Sequence, residues 1–116
     1  MAQSGGPLPD AFAALDGAPC GLLQTDEGGL ILWANRTFCQ WSGYALEELA
    51  GQRRLQDLFS MGGRIFHQTH WAPLLSMQGS ISEVKLEIVD RDGGRLPVIV
   101  NAILHERAGR LLQDVN

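Results

Sequence analysis

Thr25-Asp26-Glu27-Gly28-Gly29-Leu30-Ile31-Leu32-Trp33-Ala34-Asn35 decides how this chain folds. An acidic, glycine-rich turn separates two apolar runs, residues 20–25 and 30–34, which is the pattern of a β-hairpin. Asn35 follows the second run and suits a helix N-cap, because its side-chain oxygen can accept an orphaned backbone N–H. Behind it, Phe38 and Trp41 share a helix face three residues apart, and Gly43 ends that helix. Residues 46–50 predict one more short helical turn, closed by Gly51.

Upstream, residues 1–9 are small, polar and rich in Gly and Pro, and read as a flexible leader. Asp10 can cap a short helix over residues 11–15, with Phe12 and Leu15 on one face and Gly17 and Pro19 as stops. Downstream, residues 57–59 predict a single turn. Gly62-Gly63 is expected to break the chain before a helical stretch over 64–77, and Pro73 to kink or restart that stretch. The period then changes. Val84, Leu86 and Ile88 alternate with Glu83, Lys85 and Glu87, the pattern of a half-buried strand. Asp92-Gly93-Gly94 is a turn. Val98, Val100, Ala102 and Leu104 mark one face of a second strand, with Pro97 near its start. A turn over 107–110 leads to a third strand over 111–115. Segregated strands and helices predict an α+β fold with an antiparallel sheet.

The 116 residues suit one domain, placed at residues 10–116. Apolar and aromatic residues make up 45% of the chain, which excludes a wholly disordered one. Nine basic against thirteen acidic residues give a net charge of −4, which argues against a nucleic-acid partner. Cys20 and Cys39 make no disulfide framework and read as free, buried thiols of a cytoplasmic protein. The first residues lack a basic and apolar signal pattern, and no apolar run reaches membrane-spanning length, so no membrane contact is expected of this segment.

In this order and spacing, the joints resemble those of the PAS sensory domain family. Asp26, Gly29 and Asn35 match its D-x-x-G-x-I-x-x-x-N hairpin. Phe38, Ser42-Gly43-Tyr44 and Glu47-Glu48-Leu49-Ala50-Gly51 are similar to its following helix pair. Arg91-Asp92-Gly93-Gly94-Arg95-Leu96-Pro97-Val98 is similar to its later turn. The match runs from Leu15 to Val115. The resemblance implies a five-stranded antiparallel sheet with short helices on one face and the last strand beside the first, in the centre. A central strand built only from residues 111–116 is short, so the domain is expected to be cut at or within it. The resemblance also implies a sensory or regulatory module that relays a small ligand or partner to a covalently attached output domain. Residues 66–75 are similar to PAS domains fused to histidine kinases, diguanylate cyclases or serine phosphatases. A ligand-free dimerisation module, a homodimer through the N-terminal helix or a sheet face, is the alternative. A haem-based redox or gas sensor is a further one.

No P-loop, H-E-x-x-H or G-x-S-x-G is present, so the domain itself is not expected to be an enzyme. Trp41, Phe59, Phe66, His67, His70, Leu86, Ile88, Val98 and Val100 are candidate walls of a ligand pocket, with Trp71 beside them. His67 and His70 share a helix face, which suits a metal pair but lacks an obvious third ligand. The plainer reading is two hydrogen-bonding histidines at a helix–sheet boundary. The family's haem binders imply one of them as the haem ligand. Flavin photoreceptors of the superfamily carry a reactive cysteine where this chain has Gly51-Gln52-Arg53-Arg54-Leu55-Gln56, so cysteine-adduct photochemistry is excluded there. No cofactor is required by the sequence. Arg53, Arg54 and Arg64 could form a basic patch or a solvated surface.

Overall fold

The computed structural model describes residues 13–107 and 110–115. Strands β1 (Leu23–Asp26) and β2 (Ile31–Ala34) form the hairpin. Asp26 organises its turn, with Oδ1 accepting the N–H groups of Gly28 and Leu30 at 2.9 Å each. Gly29 stands at φ 93, and the Gln56 side chain packs where its Cβ would be.

Asn35 caps α1 (Arg36–Ser42), its side chain accepting the Phe38 N–H at 3.0 Å, and Gly43 ends that helix at φ 79. A short α2 (Leu46–Leu49) follows. The connector after it closes the sheet. It exchanges hydrogen bonds with β2, where Ile31 N–H donates to the Arg53 carbonyl at 2.9 Å and Gly51 N–H to the Ile31 carbonyl at 2.7 Å. It makes a 3-10 turn (Leu55–Leu58), then reaches the strand carrying Glu87, where Ser60 N–H donates to the Glu87 carbonyl at 2.9 Å.

Gly62 and Gly63 do not break the chain. Both lie in the first turn of α3 (Met61–Phe66), with Ser60 at the N-cap. Gly63 is there for packing: a Cβ would stand 2.9 Å from that of Phe59. The restart expected at Pro73 begins a turn earlier. Pro73 cannot donate to the carbonyl four residues back and its ring crowds that carbonyl. The helix widens into a π turn (His67–Trp71), with the Ala72 N–H reaching the His67 carbonyl, and resumes as α4 (Ala72–Gln78).

The sheet is completed by β3 (Ser80–Val89), β4 (Arg95–Arg107) and β5 (Arg110–Val115). All pairings are antiparallel and the order is β2-β1-β5-β4-β3, so the last strand lies in the centre beside the first. One irregularity was not legible in the alternation. The β3 ladder bulges between Ile81 and Val84, where Glu83 takes φ 56 and its N–H donates to Asn101 Oδ1 at 2.9 Å. The extra residue lets Ile81 and Val84 both turn inward.

The helices cover one face of the sheet and enclose the core, where Ile31, Leu49, Phe59 and Trp71 are almost wholly buried. Fully burying such a side chain is worth about 1.5–3 kcal/mol. A helical turn over 13–16 precedes Gly17. Asp10 and Phe12 of the expected leading helix lie outside the described residues, as do the leader and residues 108–109 of the last turn.

Candidate functional site

An apolar cavity of about 570 Å³ opens at one end of the inner sheet face, within the ~300–1,000 Å³ range of small-molecule sites. Phe38 and Trp41 of α1, Leu55 and Phe59 of the connector, and Ile88 of β3 form its floor. Its sides are Cys20 and Gly21, ahead of β1, and residues 96–100 of β4. Val115, the last described residue of β5, borders it between them. No charged side chain is among these lining residues. The Cys20 thiol and the Trp41 indole are their polar groups.

Of the expected walls, Trp41, Phe59, Ile88, Val98 and Val100 line this cavity. Phe66, His67, His70 and Leu86 do not. His67 lies against Phe59 and Trp71, with ring centroids at 6.2 and 5.4 Å. Burial pushes its imidazole below the usual histidine range. His70 is exposed, stacks on Phe66 at 5.1 Å, and sets Nδ1 2.8 Å from Thr69 Oγ1. Leu86 packs against the core. The lining residues do not fit a haem or a flavin: they offer no imidazole, amide or guanidinium. Among the described residues no group of three His, Cys, Asp or Glu gathers as a metal would need.

Two further residues stand elsewhere than expected. Trp71 is fully buried in the core rather than at the cavity. Cys20 is exposed and precedes β1 instead of filling it. Cys39 is in α1 as expected, half-buried against the core, and burial, with Asp16 and Glu47 adding to it, pushes its thiol up. The arginines do not converge as one patch. Arg53 lies over the Tyr44 ring at 4.5 Å, while Arg64 donates to the Phe59 and Asp57 carbonyls. On the same tyrosine, Arg91 pairs with Glu48 and holds that carboxyl below the usual range.

Two buried polar side chains anchor the elements around the core, Asn35 beside the site and Gln113 away from it. Asn35 is fully buried and does more than cap α1: Oδ1 also accepts the Leu22 N–H at 2.9 Å, and its amide donates to the Leu15 and Cys20 carbonyls at 2.8 and 3.0 Å. It thereby fixes the segment carrying Cys20 and Gly21. Gln113, on β5, was missed. Its Oε1 takes the Trp71 indole N–H at 3.4 Å, and its amide donates to the Asp26 and Glu27 carbonyls at 3.3 and 3.1 Å. The available signal was a polar residue with the same inward parity as Val115.

The PAS fold model matches residues 10–112. The phosphoserine phosphatase RsbP of Bacillus subtilis (strain 168) is 34% identical over 100 residues, 86% of this chain and 25% of that protein. The chain therefore spans about a quarter of the length of this curated relative. A PAS domain from a two-component sensor histidine kinase superposes with a TM-score of 0.80 at 18% identity, covering 97% of this chain and 96% of that one. The PAS domain of a LuxR-family transcriptional regulator from Burkholderia thailandensis, in complex with ethanol, gives a TM-score of 0.71 at 17% identity, over 90% and 94%. These two share the fold. No helix among the described residues is long and apolar enough to cross a membrane. With the family model covering nearly the whole chain, and the hairpin, helix pair and central last strand in place, this chain belongs to the PAS fold family.

Proposed function

We propose that this domain is the signal-receiving and signal-transmitting module of a longer protein, with the apolar cavity as its input and β5 as its output. The observation that carries this reading is the contact between the cavity and Val115: whatever fills the cavity touches the end of the central strand. The walls select a neutral, apolar occupant, because a charge placed there would lose its hydration without gaining a partner. The likeness to RsbP favours a phosphatase as the attached output module.

Thermal-shift and native mass measurements against neutral apolar and against charged small molecules test the input. Retained mass and a raised Tm are expected for apolar compounds alone. No response to any of them removes the reading.

A second reading, dimerisation without a ligand, is favoured by Ile99 and Ile103 on the outer sheet face, 60% and 57% exposed. Ile103→Glu would then halve the mass seen by light scattering.

A further inference from the structure

The helical run between the connector and β3 carries an outward apolar stripe. Met61, Ile65 and Met77 are 71%, 56% and 82% exposed, and Thr69 and Pro73 between them are exposed as well. In an uninterrupted α-helix, the path from Met61 to Met77 overshoots whole turns by about 160°, which would set the two methionines on nearly opposite sides. The π turn takes up one extra residue, worth about 100° of α-helix, so the angle falls to about 60°. Met61, Ile65, Thr69, Pro73 and Met77 then form one straight seam, about 24 Å long at the α-helical rise. The widening that accommodates Pro73 also straightens the stripe.

The seam is neutral. From Met61 to Gly79 the sequence holds a single Lys, Arg, Asp or Glu, which is Arg64, and its guanidinium donates to the Phe59 and Asp57 carbonyls. Thr69 Oγ1 donates to the Ile65 carbonyl at 2.8 Å and lies 2.8 Å from His70 Nδ1, so its polar atom is satisfied within the helix. Gly62, beside Met61, has nothing within 4 Å of where its Cβ would stand. Phe59 requires a glycine at 63, whereas no described neighbour requires one at 62, and glycine weakens a helix. A side chain brought from outside can occupy that space. A membrane surface would select a stripe rimmed by Lys and Arg, and Arg64 alone does not supply such a rim.

We propose that this seam is a self-association surface, taken by the same seam of a second copy of this chain running antiparallel to it. The stripe pairs with itself about Thr69. Met61 meets Met77 of the second copy, Ile65 meets Pro73, and Thr69 lies on the two-fold axis. A two-fold contact requires such self-complementarity, because every pair in it occurs twice. At its ends flexible thioethers meet, and Gly62 leaves room for the Met77 side chain of the second copy. Each chain carries a net charge of −4, and this stretch holds no carboxylate to add to the repulsion. A different partner would be selected by charges complementary to those of the seam, and the seam offers none. One helical seam buries less than the roughly 800 Å² per partner of a standard stable interface, so this dimer forms and dissociates with concentration. The proposal is independent of the cavity, and it places self-association on the helical face, away from Ile99 and Ile103.

Sedimentation equilibrium from about 10 μM to about 1 mM tests it, and the mass should rise from one chain toward two. Met61→Lys and Met77→Glu are each expected to weaken association about tenfold, and the two together to restore it, because the antiparallel seam sets 61 against 77. A restored double variant also shows that neither single change had merely unfolded the chain. Ile103→Glu leaves association unchanged. A chain that stays monomeric throughout overturns the proposal. Dissociation by Ile103→Glu overturns it too and assigns the dimer to the outer sheet face. A double variant no tighter than the single ones overturns the antiparallel seam. Co-sedimentation with neutral lipid vesicles, abolished by Met77→Glu, overturns the second copy in favour of a membrane surface.

Discussion

The two ends of the central strand contrast sharply. At one, Gln113 sits between the Trp71 indole and the β1–β2 turn, with both ends of its amide engaged. At the other, Val115 pairs with Leu23 and Ala102 and borders the apolar cavity. Sheet spacing and inward parity are common to both ends. What differs is the neighbour: at one end a polar side chain ties helix, strand and turn into the core, and at the other apolar side chains border a cavity.

The largest expected effect removes a flank of the open end. Asn35→Ala strands the N–H groups of Leu22 and Phe38 and the carbonyls of Leu15 and Cys20. The cost should be about 3 kcal/mol by urea unfolding, since each buried orphan is worth about 1–3 kcal/mol. A loss under about 1 kcal/mol would mean that the Cys20–Gly21 side of the cavity is not held by this residue. At the sealed end, Gln113→Ala should cost about 2 kcal/mol, from the unpartnered indole and the void left behind. An unchanged denaturation midpoint would erase the contrast between the ends.

A paired substitution sharpens it further. Ala102, 1% exposed, stands where β5 is in place, whereas Val98 lines the cavity. Ala102→Leu should cost about 1–3 kcal/mol through overpacking, and Val98→Leu under about 0.5 kcal/mol. Equal losses would show the open end to be as tightly packed as the other.

The smallest effect is a pH dependence beside the sealed end. Burial lowers the His67 pKa below its ordinary value of 6.5, so the unfolded chain binds this proton more readily than the folded one. The stability it contributes is present in full above pH 6.5 and declines as pH falls toward the lowered value. Urea midpoints at pH 7.5 and 5.5 should differ in that sense, and His67→Gln should shrink the difference.

Much of the fold was legible because its signals are local. Asn35, Gly43 and the Asp26 turn act within a few residues of themselves. Gly62 and Gly63 misled for a related reason: glycine pairs usually interrupt helices, and only the approach of Phe59 accounts for a small residue here. The bulge at Glu83 lay hidden because the strict alternation of 84, 86 and 88 gives no hint that Ile81 is also inward. Five of the nine expected walls line the cavity, and four, Phe66, His67, His70 and Leu86, do not. Phe66, His67 and His70 share helical spacing with buried positions, but the π turn packs against the sealed end of the sheet. The link from Trp71 to Gln113 spans 42 residues of chain, a distance no local pattern records.

The connector after α2 has a consequence for how the molecule behaves in a crowd. By hydrogen-bonding Gly51 and Arg53 to Ile31 of β2, Leu55 to Gly29 in the turn before it, and Ser60 to β3, one loop occupies part of both outer rims. Exposed rims are where sheets recruit other chains and grow into aggregates. With those stretches taken, lateral growth of the sheet by a further chain is blunted at both rims.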